Sequence, residues 1–434
     1  MKRVMCVCLC AGTMLMASVS VAGAVLDKSE ADALADQCCV SEYSVTMIDG
    51  GITTTVSSAD NAPLVFEAGS LGKPVAAYVC LQLAKEERLS LDDTITQYLE
   101  PDWITEDNRM ASITIRQLLS HTAGFSPSFE MGVDKRLYFE AGSHFSYSGV
   151  GYIYLQKIVE RVYGGTFQQA AQEYVFVPLQ MHNSTFEAMP TVAPHVRTSS
   201  LVVYIVLVWC AAAIVLYVIG FLIGLITKFK YYSKRTLFAV SVAAGFIVDM
   251  VLLTIALPRM LITAMIFGGV GFVMLWATKK SKRLFYIFFS AYILISAAIG
   301  LLSPFTLPAG PELFAREANA AYSLKTTSQD MALFVMDVAA NQPEMMDLQV
   351  QIDETNGWGM GLAIENTNGA ITYWHSGINP GMQSLFVINP ESRQAVVVLT
   401  NSDYGLAFAK EIAKRSVAIA GEWEILRTDV QSFS

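Results

Sequence analysis

Four long apolar runs, Leu201–Thr227, Thr236–Leu257, Met260–Thr278 and Leu284–Leu307, constrain this 434-residue chain more than any other feature. Each reaches the ~18 residues that let an α-helix cross the hydrocarbon core of a bilayer. Asp249 is the only charged residue within them. One such run alone reads equally as a buried core helix. Four in succession would leave a soluble core nothing to turn toward water, so they read as four transmembrane helices. The loops between them carry the orientation. Lys228, Lys230, Lys234 and Arg235 fill the first and Lys279, Lys280, Lys282 and Arg283 the third, while Arg259 stands alone in the second. Basic loops stay on the cytoplasmic side, which puts both flanking halves of the chain outside.

The N-terminus reads the same way. Met1–Ala24 has two basic residues, an apolar stretch and Ala22-Gly23-Ala24 at its end, the pattern of a secretory signal peptide. An uncleaved anchor is the other reading of that segment, and the sequence leaves cleavage open. The expected organisation is a signal peptide over 1–24, a first soluble part over 25–198, the membrane block over 199–308 and a second soluble part over 309–434.

Composition separates these parts. Hydrophobic residues make up 53% of the chain and charged ones 15%, averages that mix two populations. Between Ser200 and Pro308 stand nine Lys or Arg and one acid, a net +8; with −9 overall, the remainder carries −17. An acidic remainder argues against nucleic acid as a partner. Of seven cysteines, only Cys38, Cys39 and Cys80 lie outside the N-terminal segment and the apolar runs. Cys80 reads as a small hydrophobe, a disulfide through Cys38 or Cys39 stays open, and no Cys/His spacing suggests a metal. No cofactor is expected.

In the soluble parts, periodicity and turn residues predict helices over 25–37, 71–84, 113–119, 151–162, 328–340 and 404–420. Strands are expected over 44–48 and 52–57, a hairpin about Asp49-Gly50-Gly51, and over 63–66, 357–364, 371–374, 383–388 and 395–400. The stretch Phe66-Glu67-Ala68-Gly69-Ser70-Leu71-Gly72-Lys73 joins a strand to a buried helix, with Ser70 where the helix begins and Lys73 on the same face one turn on. A serine there has its own N–H free to meet a substrate oxygen. A lysine one turn away exchanges protons with the hydroxyl if burial lowers its pKa. This is the pattern of a Ser-x-x-Lys acyl-transfer site, and it is the only such match in the chain.

Two further motifs follow in order, Tyr147-Ser148-Gly149 and His375-Ser376-Gly377, the latter ahead of an apolar strand pair. Together with the phrases from Ile115 to Phe125, Asn319 to Leu324 and Val396 to Asn401, they give a chain that resembles the serine β-lactamase and penicillin-binding protein superfamily. The resemblance is to the class C-like branch, which also holds esterases and D-aminopeptidases. It implies an α/β (α+β) fold: an antiparallel sheet flanked by helices, plus a helical subdomain. The membrane block would interrupt it between Pro178-Leu179-Gln180-Met181 and Asn319-Ala320-Ala321. An even number of spans returns the chain to its starting side, so the two halves can close one domain.

The resemblance also implies roles. Ser70 is the nucleophile. Lys73 supplies the cation that makes Tyr147 a usable base, and the pair passes the serine proton to the leaving group. The N–H groups of Ser70 and of Ile378, after His375-Ser376-Gly377, form the oxyanion hole. Two departures stand out. Gly149 replaces the Asn that meets the substrate amide in many relatives, and His375 replaces the Lys of penicillin-recognising members. Both changes favour the esterase and aminopeptidase side of the family.

The expectation is thus a membrane-anchored, extracytoplasmic serine hydrolase, periplasmic or extracellular, acting through an acyl-enzyme on Ser70. Its partners would be a small peptide, amide or ester substrate, soluble or lipid-attached, and the lipid bilayer. A β-lactamase or D,D-carboxypeptidase is the alternative within the family. From another class, the same motifs fit a β-lactam- or peptide-responsive membrane sensor with slow deacylation.

Overall fold

The computed structural model describes residues 26–59, 63–100, 104, 107–126, 136–194 and 318–425. Contacts divide the chain into two units, and every described residue falls in the one formed by Met16–Pro194 and Glu312–Ser434. The expected signal peptide and the four apolar runs lie outside the described residues. Among the described residues no helix is long and apolar enough to cross a membrane.

The two halves of the sequence close one sheet. Strands β1 (Tyr43–Asp49) and β2 (Ile52–Ser57) form the expected hairpin, turned through Gly50 and Gly51, both at positive φ. From the second half come β5 (Val350–Gln351), β6 (Asn356–Trp358), β7 (Ala363–Thr367), β8 (Ala370–Asn379), β9 (Met382–Asn389) and β10 (Gln394–Thr400). Their order is β2-β1-β10-β9-β8-β7-β6-β5, antiparallel throughout. The register Val45↔Val398 joins the first half of the sequence to the last strand. A separate pair, β3 (Phe66–Gly69) with β4 (Leu324–Thr326), again takes one strand from each half.

Alternation along the strands feeds two cores, because successive side chains point to opposite faces. Val396 and Val398 pack under α1 (Lys28–Gln37) and the C-terminal helix α8 (Gly405–Val417), with Leu34, Phe408 and Ile412. Val397 and Leu399 face the larger core, which takes in α2 (Gly72–Lys85), α4 (Gly149–Tyr163) and α6 (Ser328–Asn341). Between these lie the short helices α3 (Ile115–Leu119), α5 (Phe167–Ala171) and α7 (Pro343–Met346). Cys80 is fully buried in α2 and burial pushes its thiol up to about 12, the behaviour of a small hydrophobe.

Two strand expectations need correction. Pro63–Val65 is not strand; Val65 accepts one bond from Val192, and the ladder begins at Phe66. The run from Gly357 to Ile364 is not one strand either. Gly361 sits at φ +85, Gly359 donates to the Leu362 carbonyl, and a side chain at Gly359 would meet the Met345 carbonyl at 2.3 Å. A tight turn therefore divides β6 from β7.

Candidate active site

Ser70 stands in the turn between β3 and α2. Gly69 at φ +55 makes that turn, which the Leu71 N–H closes on the Ala68 carbonyl. Lys73 lies one helical turn on, wholly buried, with Nζ 2.9 Å from Ser70 Oγ and 2.6 Å from the Ala321 carbonyl. Burial pushes the lysine down to about 7 from an ordinary value of 10.5, since a dry site disfavours the ammonium form. At neutral pH the amine and the ammonium are comparably populated. As an amine, Lys73 has a lone pair within reach of the Ser70 hydroxyl proton.

The Tyr147 ring lies beside that amine, with Lys73 Nζ 5.0 Å from its centroid. Ser148 explains the placement. It is the N-cap of α4, its Oγ accepting from the Gly151 N–H and donating to the Ser126 carbonyl, so Tyr147 sits just ahead of the helix. Beneath Tyr147, at 4.4 Å between ring centroids, lies His121, held in left-handed backbone at φ +57. Its Nδ1 accepts from the Ser148 N–H, so a neutral His121 carries its proton on Nε2. Burial, then the charges of Lys73 and His375, drive its pKa well below the usual 6.5.

On the other side, β8 runs past its last pairing with β7, Ala363↔Trp374, and the free edge His375–Asn379 faces β3. Gly377 makes this approach feasible. A Cβ there would lie 2.0 Å from the Ala68 carbonyl and 2.4 Å from Ser384 Oγ, which itself donates to that carbonyl. A Cβ on Gly69 would likewise meet the Ile378 nitrogen at 3.0 Å. Two glycines thus bring the Ile378 amide against the residue that precedes Ser70. Of the motif's other members, Ser376 contributes its carbonyl, which accepts from His375 Nδ1 at 2.8 Å. That bond places the imidazole lone pair on Nε2. His375 is fully buried, 6.0 Å from the Tyr147 ring and 5.7 Å from Trp358; burial and then the Lys73 charge push it down to about 3. It is neutral at any pH where the protein would work.

All seven expected site residues therefore fall around the β3–α2 junction, but with different access. Ser70 and Tyr147 are partly open and Ile378 is 48% exposed, while Lys73 and His375 see no solvent. Ser70, part of the Tyr147 ring and Ile378 are what the site exposes, while the Tyr147 hydroxyl oxygen itself is buried. No expectation from sequence covered His121, Trp358 or Gln156 as parts of this site. Among the described residues no group of His, Cys, Asp or Glu could hold a metal ion.

Comparison with known proteins gives the same picture. The beta-lactamase family profile matches residues 60–203 and 295–420, leaving 204–294 unmatched. The putative fimbrial assembly protein FimD, serogroup D, of Dichelobacter nodosus is 35% identical over 127 residues, 25% of this chain and 32% of that protein. Penicillin-binding protein 4 of Amycolatopsis lactamdurans is 31% identical over 150 residues, 31% of this chain and 38% of that protein. The chain spans about a third of the length of these curated relatives. Among solved structures, a D-stereospecific amidohydrolase from Streptomyces sp. superposes with a TM-score of 0.57 at 16% identity, covering 90% of this chain and 98% of that one. A class C beta lactamase from Rhodobacter sphaeroides gives 0.55 at 12%, covering 90% and 98%. At such identities the likeness is one of fold.

Proposed function

The chain belongs to the beta-lactamase family, and from that premise we propose that it is a serine hydrolase working through an acyl-enzyme on Ser70. The observation that carries the reading is the contact between Ser70 Oγ and a buried lysine whose pKa lies near 7. In acylation, the Lys73 amine takes the hydroxyl proton as Oγ bonds to the substrate carbonyl carbon. The Ser70 and Ile378 N–H groups receive the developing oxyanion. As the bond to the leaving amine or alcohol breaks, Tyr147 delivers the proton held by Lys73 to the departing atom. Water then attacks the ester, its proton returns through the same pair, and Ser70 Oγ is reprotonated as the acid leaves.

The substrate is an amide, peptide or ester that needs no free carboxylate at the β8 edge. His375 is neutral and buried where a cation would bind one, Gly149 has no side-chain amide, and the exposed Ile378 suits an apolar group. A fluorophosphonate probe should label the protein, and Ser70→Ala should abolish labelling; undiminished labelling of that variant rejects the assignment.

We extend the proposal to the membrane. The apolar runs with their basic loops support a four-helix anchor over 201–307 that holds the catalytic unit outside, near lipid-attached substrates. The interruption of the family match at 204–294 is consistent with it. Replacing 201–307 by a Gly/Ser linker should release the protein from membranes and lower kcat/KM for acylated substrates relative to unacylated ones. An unchanged ratio rejects the selectivity, and retention in the membrane pellet of a variant that also lacks 1–24 rejects the anchor.

A further inference from the structure

Gln156, on α4, is 7% exposed and uses its whole amide. Oε1 accepts from the Ala320 N–H at 2.8 Å, and Nε2 donates to the Ala318 carbonyl at 3.0 Å and to Glu160 Oε1 at 2.9 Å. A carboxamide can accept from one peptide while donating to its near neighbour, which a side chain without a polar end cannot do. The grip falls on the turn 318–323, which is also closed from within. Asn319 Oδ1 accepts from the Ala321 N–H at 2.9 Å, the Asn319 N–H donates to Ser323 Oγ at 2.8 Å, and Ser323 Oγ donates to the Phe186 carbonyl at 2.8 Å.

The turn hands two carbonyls to the active site. Ala321 O accepts from Lys73 Nζ at 2.6 Å, and Tyr322 O accepts from Asn379 Nδ2 at 3.3 Å, at the end of the strand that carries Ile378. Gly72 lets the turn close on the start of α2, since a Cβ there would stand 2.9 Å from the Ala320 carbonyl. One turn thus touches both the lysine and the strand edge beside it, and Gln156 fixes that turn.

We propose that Gln156 is a positioning residue for Lys73: by clamping Ala318 and Ala320 it sets the Ala321 carbonyl that aims the Lys73 amine at Ser70 Oγ. The inference rests on the acyl-enzyme reading above. Lys73 Nζ meets both Ser70 Oγ and Ala321 O. If the carbonyl drifts, the amine loses a short contact that orients it. Among the described residues, the titratable groups that face Lys73 include Tyr147 ahead of α4, Tyr152 on α4, His121 after α3 and His375 on β8, all of them rings. Losing the hydrogen bond to the Ala321 carbonyl makes the ammonium less stable, so the amine form persists to lower pH.

Gln156→Met keeps length and volume and removes the amide. With p-nitrophenyl acetate as substrate, kcat should fall about tenfold or more, with KM held within about twofold. The acidic limb of the rate profile should move to lower pH, a shift that lost packing alone would not give. Asn319→Ala, which loosens the same turn from within, should act in the same direction to a smaller extent, and it carries the test if Gln156→Met melts too low to assay. A folded Gln156→Met with wild-type kcat and an unmoved limb, or a limb moved upward, overturns the inference while leaving the acyl-enzyme intact. Wild-type protein that no fluorophosphonate labels overturns both.

Discussion

The molecule contains two kinds of buried polar cluster, and they are built oppositely. Under α6, every hydroxyl is used: Ser328 Oγ hydrogen-bonds with Ser44 Oγ at 2.7 Å and Thr46 Oγ1 at 2.8 Å, and Thr46 continues to Thr55 at 2.9 Å. Nearby, Ser184 Oγ meets Thr326 Oγ1 at 2.7 Å and Asp330 Oδ2 at 2.9 Å. At the active site, by contrast, His121 Nε2 and His375 Nε2 are buried with no hydrogen-bond partner among the described residues, and burial lowers the pKa of both rings and of Lys73. A saturated network holds two elements together. An unsaturated one, lined by Trp358, Tyr147 and Tyr152, keeps both imidazoles neutral, His121 with a proton on Nε2 and His375 with a lone pair there. The two clusters thus differ in pairing: the hydroxyls under α6 are used, and the two Nε2 atoms beside Lys73 are not.

Lys73→Met should break this contrast most sharply. Turnover should fall about a hundred- to ten-thousand-fold, the loss expected for a general base. The same change should stabilise the protein. Because the folded-state pKa is about 7 and the free value 10.5, the unfolded chain binds the extra proton across that window. Stability therefore rises with pH between the two values, and the penalty is complete below 7. That penalty is on the order of 4 kcal/mol at pH 6, partly offset by the hydrogen bonds that Lys73 makes. The melting point of Lys73→Met should exceed wild type at pH 6, with the gap shrinking by pH 10. A lower melting point at pH 6 would mean that the lysine is not held in a dry site.

The opposite outcome is expected under α6. Ser328→Ala strands the Ser44 hydroxyl and should cost about 1–3 kcal/mol by urea unfolding. Labelling of Ser70 per folded molecule should stay at the wild-type rate. A loss of labelling without a loss of stability would erase the distinction between the two clusters.

How much of this was legible in the sequence follows from how local each feature is. The β1–β2 hairpin is written in Gly50-Gly51 and could be read directly, whereas the three-residue spacing of Ser70 and Lys73 pointed to a site only beside the later motifs. Tyr147 and His375 were legible only through resemblance to a family, because nothing near them in sequence marks an aromatic or a buried imidazole as part of a site. His121 and Gln156 could not be read at all. Their roles come from partners 27 residues away at Ser148 and 164 away at Ala320, contacts that only the closed fold creates. The break at Gly359–Gly361 was missed because an apolar pattern runs through it, and turn geometry overrode that pattern. Helix ends shifted by a few residues where caps decided them, as Ser148 does for α4.

The central claim, that a buried lysine near pKa 7 activates Ser70, is tested most directly by the pH dependence of fluorophosphonate labelling at Ser70. Wild-type labelling should rise through a single midpoint near pH 7 and level off above it, as the Lys73 ammonium gives way to the amine. His121 and His375, neutral throughout, should add no second limb between pH 5 and 8. A rate that is flat across this range, or one that climbs only near pH 10 as an ordinary lysine would, contradicts the claim.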